Sequence, residues 1–477
     1  MNKRKSVKES PLRQIPSVDK LVSAERAEVL IGDYGRYAVV EAARTVLKEL
    51  RLKMKKTKGS QTQKKELSQE AILGKIKEHL QEKMSPSLTK AVNAAGVILH
   101  TGLGRAVLPR EAQSGVKNVI EGYCTLATDI ETGQRGHRDV HLNDLLCELT
   151  GAEAANVVNN NAAATMLILN TLANGKEVIV SRGQLVEIGG SFRLSEVMEA
   201  SGAVLKEVGT TNKTHLRDYT AAISEETGAI MRVHHSNYRI LGFTEEPAVE
   251  ELAELAKKHN IPFIDDLGSG ALVDLKDFGI ETEPLVQRSI QAGVDVACFS
   301  GDKLIGGPQA GIIVGKASII QRIRKNPLSR ALRVGKLTIA GMEATLRLFL
   351  SREKLHDSHP VYKMFSLSLK EVEKRAQKVA KELQSQISDK LEITIIDGGS
   401  QVGSGSVPVE TIPTKLLRIK PASGSAENLA RKLRHYKPPV FTRIHKDAVL
   451  FDFRTIQEDE DTLVSEALLG LMKKGRG

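Results

Sequence analysis

Short apolar runs alternate with amphipathic segments from Ala91 onward, and this alternation restricts the fold more than any other feature of the sequence. Apolar runs bounded by turn residues predict buried strands, and the segments between them predict helices. The predicted strands cover residues 155–158, 177–180, 204–208, 229–233, 260–266, 294–299 and 311–314. This pattern predicts an α/β fold of three layers, with a mostly parallel sheet whose functional loops lie at the carboxyl ends of its strands.

The length of 477 residues and the hydrophobic content of 41% predict two to three domains with a sizeable core,. We predict a helical domain over residues 1–90, an α/β domain over 91–350 and a smaller two-layer α+β domain over 351–477,. In the smaller domain a helix is expected over 364–387 and a glycine-rich bend over 398–405. Three widely spaced cysteines indicate neither a disulfide framework nor a zinc site,. No apolar run is long enough to span a membrane and no signal peptide is recognisable, so a cytoplasmic location is expected.

Positive charge is concentrated at the start of the chain. Of the formal net charge of +11, residues 1–90 carry +10, from 21 lysines and arginines against 11 acidic residues. Helices are predicted over 34–52 and 67–84, and the basic stretch over 53–65 predicts a loop between them,. A helical module with a concentrated positive field is typical of proteins that bind a polyanion, most often nucleic acid. The alternative is a solvated, lysine-rich face that only increases solubility.

Lys303 follows an apolar run that predicts a strand leading into a glycine-rich turn, and Ser300 lies at the same strand end,. A lysine in this position is unusual, because lysine is strongly hydrated and is almost never fully buried without a partner. Its position predicts a lowered pKa or a covalent bond, as in lysines that form imines. The alternative is an ordinary surface lysine in a loop between two strands.

Asp266 lies 37 positions before Lys303, at the end of another predicted strand. That interval is long enough for the chain to leave one strand, form a connection and enter the next strand. Pyridoxal phosphate needs such a pair: a lysine that holds its aldehyde as an imine, and an aspartate that keeps its pyridine nitrogen protonated so that the ring accepts carbanion electrons. The alternatives for Asp266 are a polar strand end or a magnesium site. Together the two residues favour pyridoxal 5′-phosphate as the cofactor.

A candidate phosphate site lies where the first predicted strand leads into a helix. Asn160 and Asn161 are in the turn, and Ala162 begins the helix. Asparagine caps helices well, and small residues let backbone N–H groups approach an anion at the helix N-terminus. The pattern alone is weak, because many helices begin with asparagine. Its value lies in its order before Asp266 and Lys303.

Three arginines are candidates for binding an oxyanion. Arg105 follows a short predicted strand and a glycine turn. Arg330 and Arg333 are three residues apart, on one face of a helical turn where two guanidinium groups can clamp an oxyanion. An ordinary solvated basic face is the alternative for this pair. The histidines at another strand end, His234 and His235, are explained by capping or packing at least as well as by catalysis.

Seven segments of the sequence together match the motifs of one known family. They are residues 96–105, 136–139, 158–164, 181–190, 208–212, 266–270 and 299–311. They resemble bacterial selenocysteine synthase, the L-seryl-tRNA(Sec) selenium transferases, and the resemblance extends over nearly the whole chain. Gly102, Gln184 and Gly335 differ from the motifs, where Asn, Glu and an acidic residue respectively are usual.

The resemblance implies a fold-type I pyridoxal phosphate transferase that converts seryl-tRNA(Sec) to selenocysteinyl-tRNA(Sec) with selenophosphate. It implies a homo-oligomer, a decamer built of dimers. With this substrate, the concentrated positive charge predicts that the helical domain over residues 1–90 binds the tRNA,. By the same resemblance Lys303 is the imine-forming lysine and Asp266 the partner of the pyridine nitrogen. Arg105, Arg330 and Arg333 match the arginines expected to hold the phosphate of the selenium donor.

Two other functions stay open at this point. One is a related pyridoxal phosphate lyase that acts on a small phosphorylated amino acid, such as a sugar-acid ammonia lyase. A small substrate gives no reason for a separate basic domain, which argues against the lyase. The other is a non-catalytic RNA-binding protein with an inactive enzyme core, and the presence of both Asp266 and Lys303 argues against it.

Overall fold

The computed structural model describes residues 15–56, 67–190, 192–235, 237–280, 283–403 and 411–473. The chain divides into two compact units, Met1–Lys90 and Ala91–Gly477. None of the helices in the described ranges combines the length and apolar character needed to cross a lipid bilayer.

Helices packed around a small apolar core make up the described part of the N-terminal unit. They are α1 (Val18–Val22), α2 (Glu25–Tyr34), α3 (Arg36–Lys56) and α4 (Gln69–Met84). Ser17 and Ser68 cap α1 and α4 through their hydroxyl groups, because the first N–H groups of a helix have no partner within it,. The core contains the buried side chains Leu21, Val22, Leu30, Val39, Leu47, Ile72 and Ile76.

The basic loop predicted over residues 53–65 begins later than expected, because α3 includes its first four residues. Lysine and methionine are good helix formers, and Met54 packs against the apolar core of the unit,. Lys53 and Lys55 are therefore exposed on a helix and not in a loop. The rest of the predicted loop, residues 57–65, lies outside the described residues.

The second unit is built on strands that form a large mixed sheet and a smaller antiparallel one. In chain order its strands are β1 (Val92–Asn93), β2 (Ala154–Val158), β3 (Glu177–Ser181), β4 (Glu187–Ile188), β5 (Phe192–Arg193), β6 (Val204–Val208), β7 (Thr227–Val233), β8 (Phe263–Gly268), β9 (Val296–Ser300), β10 (Gly311–Gly315), β11 (Leu391–Gln401), β12 (Thr411–Pro421), β13 (Val440–Phe441), β14 (Arg443–His445) and β15 (Ala448–Asp452). The large sheet has seven strands in the order β2-β10-β9-β8-β7-β3-β6, and β10 alone runs antiparallel to its neighbours.

Helices cover both faces of the large sheet. In chain order the helices of the second unit are α5 (Arg110–Ile120), α6 (Val140–Thr150), α7 (Asn161–Ala173), α8 (Leu194–Ala200), α9 (Leu216–Ala222), α10 (Val249–Lys258), α11 (Val286–Gln291), α12 (Ala317–Lys325), α13 (Pro327–Leu332), α14 (Lys336–Leu348), α15 (Leu355–Ser358), α16 (Pro360–Ser366), α17 (Leu369–Ile387), α18 (Ala426–Arg434) and α19 (Asp461–Lys473). Alternate residues of one strand enter different apolar clusters: Ile179 belongs to one, Val178 and Val180 to the other,. The predicted three-layer α/β fold is confirmed.

The smaller sheet has the order β11-β12-β15-β14 and is antiparallel throughout. Helices α17, α18 and α19 pack on it and share one apolar cluster with it, which includes Val372, Leu417, Leu429 and Val464. This is the predicted two-layer α+β arrangement. The domain division at residue 350 stays a prediction.

Three local expectations were wrong. The helix expected over 364–387 is broken before α17, because Ser368 and Glu371 form a capping box in which each side chain accepts a hydrogen bond from the other residue's N–H,. The bend expected over 398–405 is strand β11 up to Gln401, where Gly398 lets the strand pass against Leu416. The strand expected before Arg105 is reduced to a single bridge between Val97 and Gln401.

Candidate active site

Lys303 lies in the turn between β9 and β10 and is only 5% exposed. Backbone hydrogen bonds close this turn, from Gly306 N–H to Lys303 O at 2.9 Å and from Gly307 N–H to Gly301 O at 2.9 Å. Gly306 has a φ of +65°, a conformation that favours glycine, and a Cβ on Gly301 would collide with Met342,. The glycine-rich sequence therefore forms a tight turn that holds the lysine at the carboxyl end of β9.

Burial is the largest influence on the Lys303 amine and lowers its pKa,. The positive charge of Arg105 lowers this pKa further, whereas the carboxylates of Asp266, Glu283 and Asp302 raise it. A lowered pKa increases the fraction of neutral amine at neutral pH, and the neutral amine is the form that acts as nucleophile or base.

Asp266 lies in β8, which neighbours β9 in the sheet, and is 5% exposed. Its Oδ1 accepts hydrogen bonds from Asn161 Nδ2 at 2.8 Å and from Gly268 N–H at 3.0 Å. Its Oδ2 lies 2.8 Å from the hydroxyl of Thr165. Burial raises the pKa of Asp266, and these hydrogen bonds and the charge of Lys303 oppose the rise,. The carboxyl group is thus held in one orientation without full compensation for its buried charge.

Helix α7 begins directly after β2 and supplies two of those partners. Asn160 is its N-cap, and its side-chain oxygen accepts a hydrogen bond from a first-turn N–H at 2.9 Å. Asn161 and Thr165 are one helical turn apart, so both side chains reach Asp266,. The Asn161 side chain therefore donates its hydrogen bond to Asp266. The backbone N–H groups of Asn161 and Ala162 lie in the first turn of α7, where they have no hydrogen-bond partner within the helix. Those N–H groups are the part of the predicted phosphate site that suits an anion.

Ser300 is the last residue of β9 and is 6% exposed. It lies on the same face of the strand as Cys298, two residues earlier. The Sγ of Cys298 is 3.7 Å from the Thr165 hydroxyl, and burial raises the pKa of this thiol well above its ordinary value. Cys298 is therefore a neutral packing residue beneath the site, and Ser300 lies between it and the lysine turn.

Arg105 is the only one of the three predicted arginines that is paired in the described residues. Its Nη1 lies 3.2 Å from Oδ2 and 3.3 Å from Oδ1 of Asp302, the residue before Lys303. Its φ of 62° follows a φ of 88° at Gly104, so the chain makes a left-handed turn that non-glycine residues rarely adopt,. This turn brings a guanidinium group to a lysine 198 residues further along the chain.

Arg330 and Arg333 are exposed, and within the described ranges neither guanidinium group forms a hydrogen bond or an ion pair. Arg330 lies in α13, whereas Arg333 directly follows that helix in an extended conformation. The expectation that both lie on one face of a helical turn was therefore wrong. The backbone there reaches the end of β2: Asn159 N–H donates to Leu332 O at 2.9 Å, and Arg333 forms a bridge with Val158. The pair therefore lies beside the start of α7, and no hydrogen bond or ion pair in the described residues joins it to the lysine turn.

Arg138 extends this group of unpaired positive charges. Burial, then the charges of Arg333 and Arg135, lower the pKa of Arg138, so Arg138 lies close enough to be repelled by each of these two guanidinium groups,. One Arg138 nitrogen donates to Val334 O at 3.1 Å. Repulsion of this kind is relieved when an anion binds between the groups.

The two histidines of the sequence analysis have different surroundings. His234 N–H donates to Asp266 O at 2.8 Å, and its Nε2 is 3.8 Å from Glu283, whose side chain is 1% exposed. His235 Nε2 lies 3.0 Å from Gly183 O, which is a packing role. His234 is thus the histidine next to the buried charges.

Three residues of the site were not assigned from the sequence. Thr165 had a usable signal, because it lies four residues after Asn161 and so on the same helix face,. The sequence signal for Asp302 was weaker and consisted only of its position next to Lys303. Glu283 had none, because its proximity to the lysine arises only when separate loops meet in the folded chain.

Two family models match the chain. One, described as L-seryl-tRNA selenium transferase, matches residues 91–457, and the other, described as selenocysteine synthase N terminal, matches residues 12–51. The chain belongs to the L-seryl-tRNA selenium transferase family. The resemblance found in the sequence motifs is therefore confirmed, and the match covers both the α/β unit and much of the helical one.

Curated relatives of this family match over nearly their whole length. The chain is 47% identical over 462 residues to the L-seryl-tRNA(Sec) selenium transferase of Alkaliphilus metalliredigens, covering 97% of this chain and 99% of the relative. It is 44% identical over 461 residues to that of Geotalea daltonii, with 97% and 99% covered. It is 45% identical over 463 residues to that of Clostridium perfringens, with 97% and 99% covered.

Among solved structures, D-glucosaminate-6-phosphate ammonia-lyase is similar with a TM-score of 0.56 and 17% identity, covering 83% of this chain and 99% of that one. At this identity the similarity shows a shared fold, and the predicted fold-type I class is confirmed.

The cofactor of this transferase is pyridoxal 5′-phosphate, as the pairing of Lys303 with Asp266 predicted. The residues of the site fit it. Asp266 is a buried carboxyl group that a cationic ring nitrogen would compensate, and Asn161 Oδ1 is buried without a hydrogen-bond partner among the described residues,. The first turn of α7 would hold the phosphate group, and Lys303 the aldehyde.

Proposed function

We infer that this chain converts L-seryl-tRNA(Sec) to L-selenocysteinyl-tRNA(Sec), with selenium supplied by selenophosphate. The observation that carries the inference is the pairing of a nearly buried Lys303 with Asp266 on neighbouring strands, in a chain that belongs to this family over most of its length. The relatives above bear the name of this activity.

When bound, pyridoxal phosphate supplies an electron sink for the pair released at the Cα atom of the seryl group. Lys303 takes the Cα proton on Nζ, for which its lowered pKa suits it,. Asp266 holds a negative charge against the ring nitrogen, and Asn161 and Thr165 keep its carboxylate in place. The β-hydroxyl then departs as water, with a proton from the Lys303 ammonium group, and leaves a carbon–carbon double bond in the aminoacyl group. The selenium of selenophosphate adds to Cβ, a proton adds to Cα, and water cleaves the bond between selenium and phosphorus to release phosphate.

We assign the phosphate of the selenium donor to the three arginines, Arg105, Arg330 and Arg333. An aminoacyl-tRNA has no free α-carboxylate, so the guanidinium groups of the site are available for a phosphate. The unpaired state of Arg333 and its closeness to Arg138 support this role, because such a cluster attracts anions,. Arg105 would exchange its partner Asp302 for the donor.

We assign binding of the tRNA to the N-terminal unit. It carries +10 of the net charge, and Arg51, Lys53 and Lys55 are exposed along the last turns of α3. Each lysine or arginine that contacts a phosphate releases counterions, so affinity for tRNA falls as salt increases. A decameric assembly is proposed from the family resemblance alone, and the cytoplasmic location predicted from the sequence stays a proposal.

The decisive experiment is incubation of the purified holoenzyme with seryl-tRNA(Sec) and selenophosphate, followed by detection of selenocysteinyl-tRNA(Sec). We expect product with both substrates and none when either is omitted. Lys303→Ala is the matched negative control, since it removes the amine and leaves the fold intact. Absence of product from an enzyme that binds the cofactor would contradict the proposal, and release of ammonia from a small phosphorylated amino acid would favour the lyase instead.

The role of the N-terminal unit is tested by the salt dependence of tRNA binding. The variant Arg51→Gln, Lys53→Gln, Lys55→Gln should bind more weakly and lose roughly two to three units of the log–log salt slope. The control removes three exposed lysines from α17, Lys370, Lys374 and Lys378, and so the same number of charges. Equal losses in the two variants would show attraction by overall charge and contradict a role specific to α3.

A further inference from the structure

His359 is a fully buried histidine that the proposed reaction does not use. It precedes α16, is 0% exposed and lies against the rings of Phe349 and Tyr362, with centroid distances of 5.7 and 5.1 Å. Burial lowers its pKa to about 4, so it is neutral at neutral pH,. A leucine or phenylalanine would satisfy such an apolar environment, so the polar atoms of the histidine need a reason of their own.

Both ring nitrogens of His359 have a partner, and together they define the tautomer. Nδ1 accepts a hydrogen bond from Val361 N–H at 3.3 Å and so caps the start of α16. Nε2 lies 2.9 Å from Ile305 O, and because a carbonyl only accepts, Nε2 must carry the proton,. His359 therefore connects a helix start to the chain just after Lys303.

Tyr362, three residues later and also 0% exposed, makes a parallel contact. Its hydroxyl donates to Leu304 O at 3.1 Å. The preceding carbonyl group, that of Lys303, accepts a hydrogen bond from Gly306 N–H at 2.9 Å. Three consecutive carbonyl groups, those of residues 303, 304 and 305, are thus each satisfied, and two of the three donors come from the same helix start.

Gly306 shows that this contact is tight. Its φ of +65° lets the chain turn back, and a Cβ at this position would collide with the ring of His359,. The histidine therefore lies against the turn itself, and a displacement of the ring would move the backbone that follows the lysine.

We propose that His359 and Tyr362 are positioning residues for Lys303. The hydrogen bonds of His359 to Ile305 O and of Tyr362 to Leu304 O fix the turn that presents the lysine amine to Asp266. This inference rests on the proposed role of Lys303 as the lysine that holds the cofactor. The hydrogen bonds of both side chains in the described residues go to the protein backbone. Both act through the backbone, because a buried carbonyl that loses its donor forces the turn to rearrange.

The test uses full-length holoenzyme and four variants. His359→Leu removes the donor, His359→Gln keeps an N–H at a similar reach, and Tyr362→Phe removes only the hydroxyl and leaves the ring contacts. Tyr219→Phe is the matched control, at an equally buried tyrosine on α9. The measurements are cofactor affinity, the pH at which the visible absorbance of the bound cofactor changes, and the thermal midpoint of the protein.

We expect His359→Leu to weaken cofactor binding by about tenfold and Tyr362→Phe by about fivefold, each with a shifted absorbance pH. His359→Gln should recover most of the loss, and Tyr219→Phe should leave affinity and absorbance pH unchanged. A lowered thermal midpoint with unchanged affinity and absorbance pH would show a merely structural role and overturn the proposal. If His359→Leu does not fold, Tyr362→Phe decides. Borohydride reduction of the wild type separates the two inferences, since a pyridoxyl group on a lysine other than Lys303 contradicts the proposed function itself.

Discussion

Two clusters of buried charge in the second unit differ in how they are compensated. Asp452 in β15 is 0% exposed and accepts hydrogen bonds from Ser400 at 2.7 Å, Thr414 at 2.9 Å and Arg454 N–H at 3.1 Å. The guanidinium group of Arg454, 1% exposed, donates to main-chain carbonyls, those of Met364, Leu367 and Pro413. Its partners tie α16, β12 and β15 together.

The cluster of Lys303 and Asp266 is equally buried but less well compensated, with a lysine pKa that is lowered and an aspartate pKa that is raised. Burial also lowers the pKa of Arg454, yet an arginine keeps its proton in proteins, whereas a lysine can give its proton up,. Buried charge alone therefore does not identify an active site. What distinguishes the cluster of Lys303 and Asp266 is a buried lysine that can give up its proton next to a buried carboxyl group,.

The largest effect is expected from Lys303→Ala. Activity should fall by at least about a thousandfold, because the proposed roles of Lys303, attachment of the cofactor and removal of the proton, are both lost. Borohydride should no longer trap a pyridoxyl group on the protein, while circular dichroism and the thermal midpoint stay close to wild type. If Lys303→Ala lost its folded structure as well as its activity, Lys303 would have a structural role like that of Arg454. The two clusters of buried charge would then no longer differ in function.

Arg454→Leu should have the opposite profile. We expect a loss of about 3 kcal/mol in the free energy of unfolding, because three main-chain carbonyl groups lose their donor,. The measurement is urea denaturation of the full chain, with an exposed arginine substitution, Arg431→Leu, as control. At temperatures where the variant is folded, its turnover per folded molecule should equal that of the wild type, and a selective loss of turnover would contradict a structural role.

Thr165→Val tests whether the hydroxyl that contacts Asp266 matters to the cofactor. Valine has the shape of threonine without the hydrogen bond, so turnover should fall by about tenfold. Thr165→Ser keeps the hydroxyl and should restore most of the activity. Equal activity in the valine and serine variants would show that Asn161 and Gly268 alone hold the carboxylate.

Asp266→Asn should make the cofactor-free protein more stable at neutral pH, by about 1 kcal/mol, because a poorly compensated buried charge is removed. The folded-state pKa of Asp266 is raised above its ordinary value of 3.8, so the wild type loses stability as the pH rises from 3.8 through the folded-state value,. The advantage of the variant should therefore disappear in acid. Asp452→Asn is the contrast and should destabilise at neutral pH, since its carboxylate is fully hydrogen-bonded.

The sequence by itself determined the layered α/β fold, the helical N-terminal unit and the pairing of Lys303 with Asp266. Hydrophobic periodicity and strand ends are local properties, and residues at the ends of parallel strands meet at one edge of the sheet whatever their loops do. The pairing of Lys303 with Asp266 also predicted the cofactor, and the family resemblance added the assignment of the three arginines to the phosphate of the selenium donor. The break before α17 was also present in the sequence, as a capping box between Ser368 and Glu371.

Only the tertiary structure decided which side chains surround the lysine. Arg105 reaches Asp302 across 197 positions, and His359 reaches Ile305 across 54. No sequence spacing specifies such contacts, because they depend on how separate elements pack and on backbone conformations such as the left-handed turn at Arg105,. The same holds for Arg454, whose Nη1 and Nη2 atoms reach their carbonyl partners only when separate segments of the chain come together. The local sequence pattern thus determined the helices and strands. Tertiary packing determined the surroundings on which the protonation state of each ionisable side chain depends.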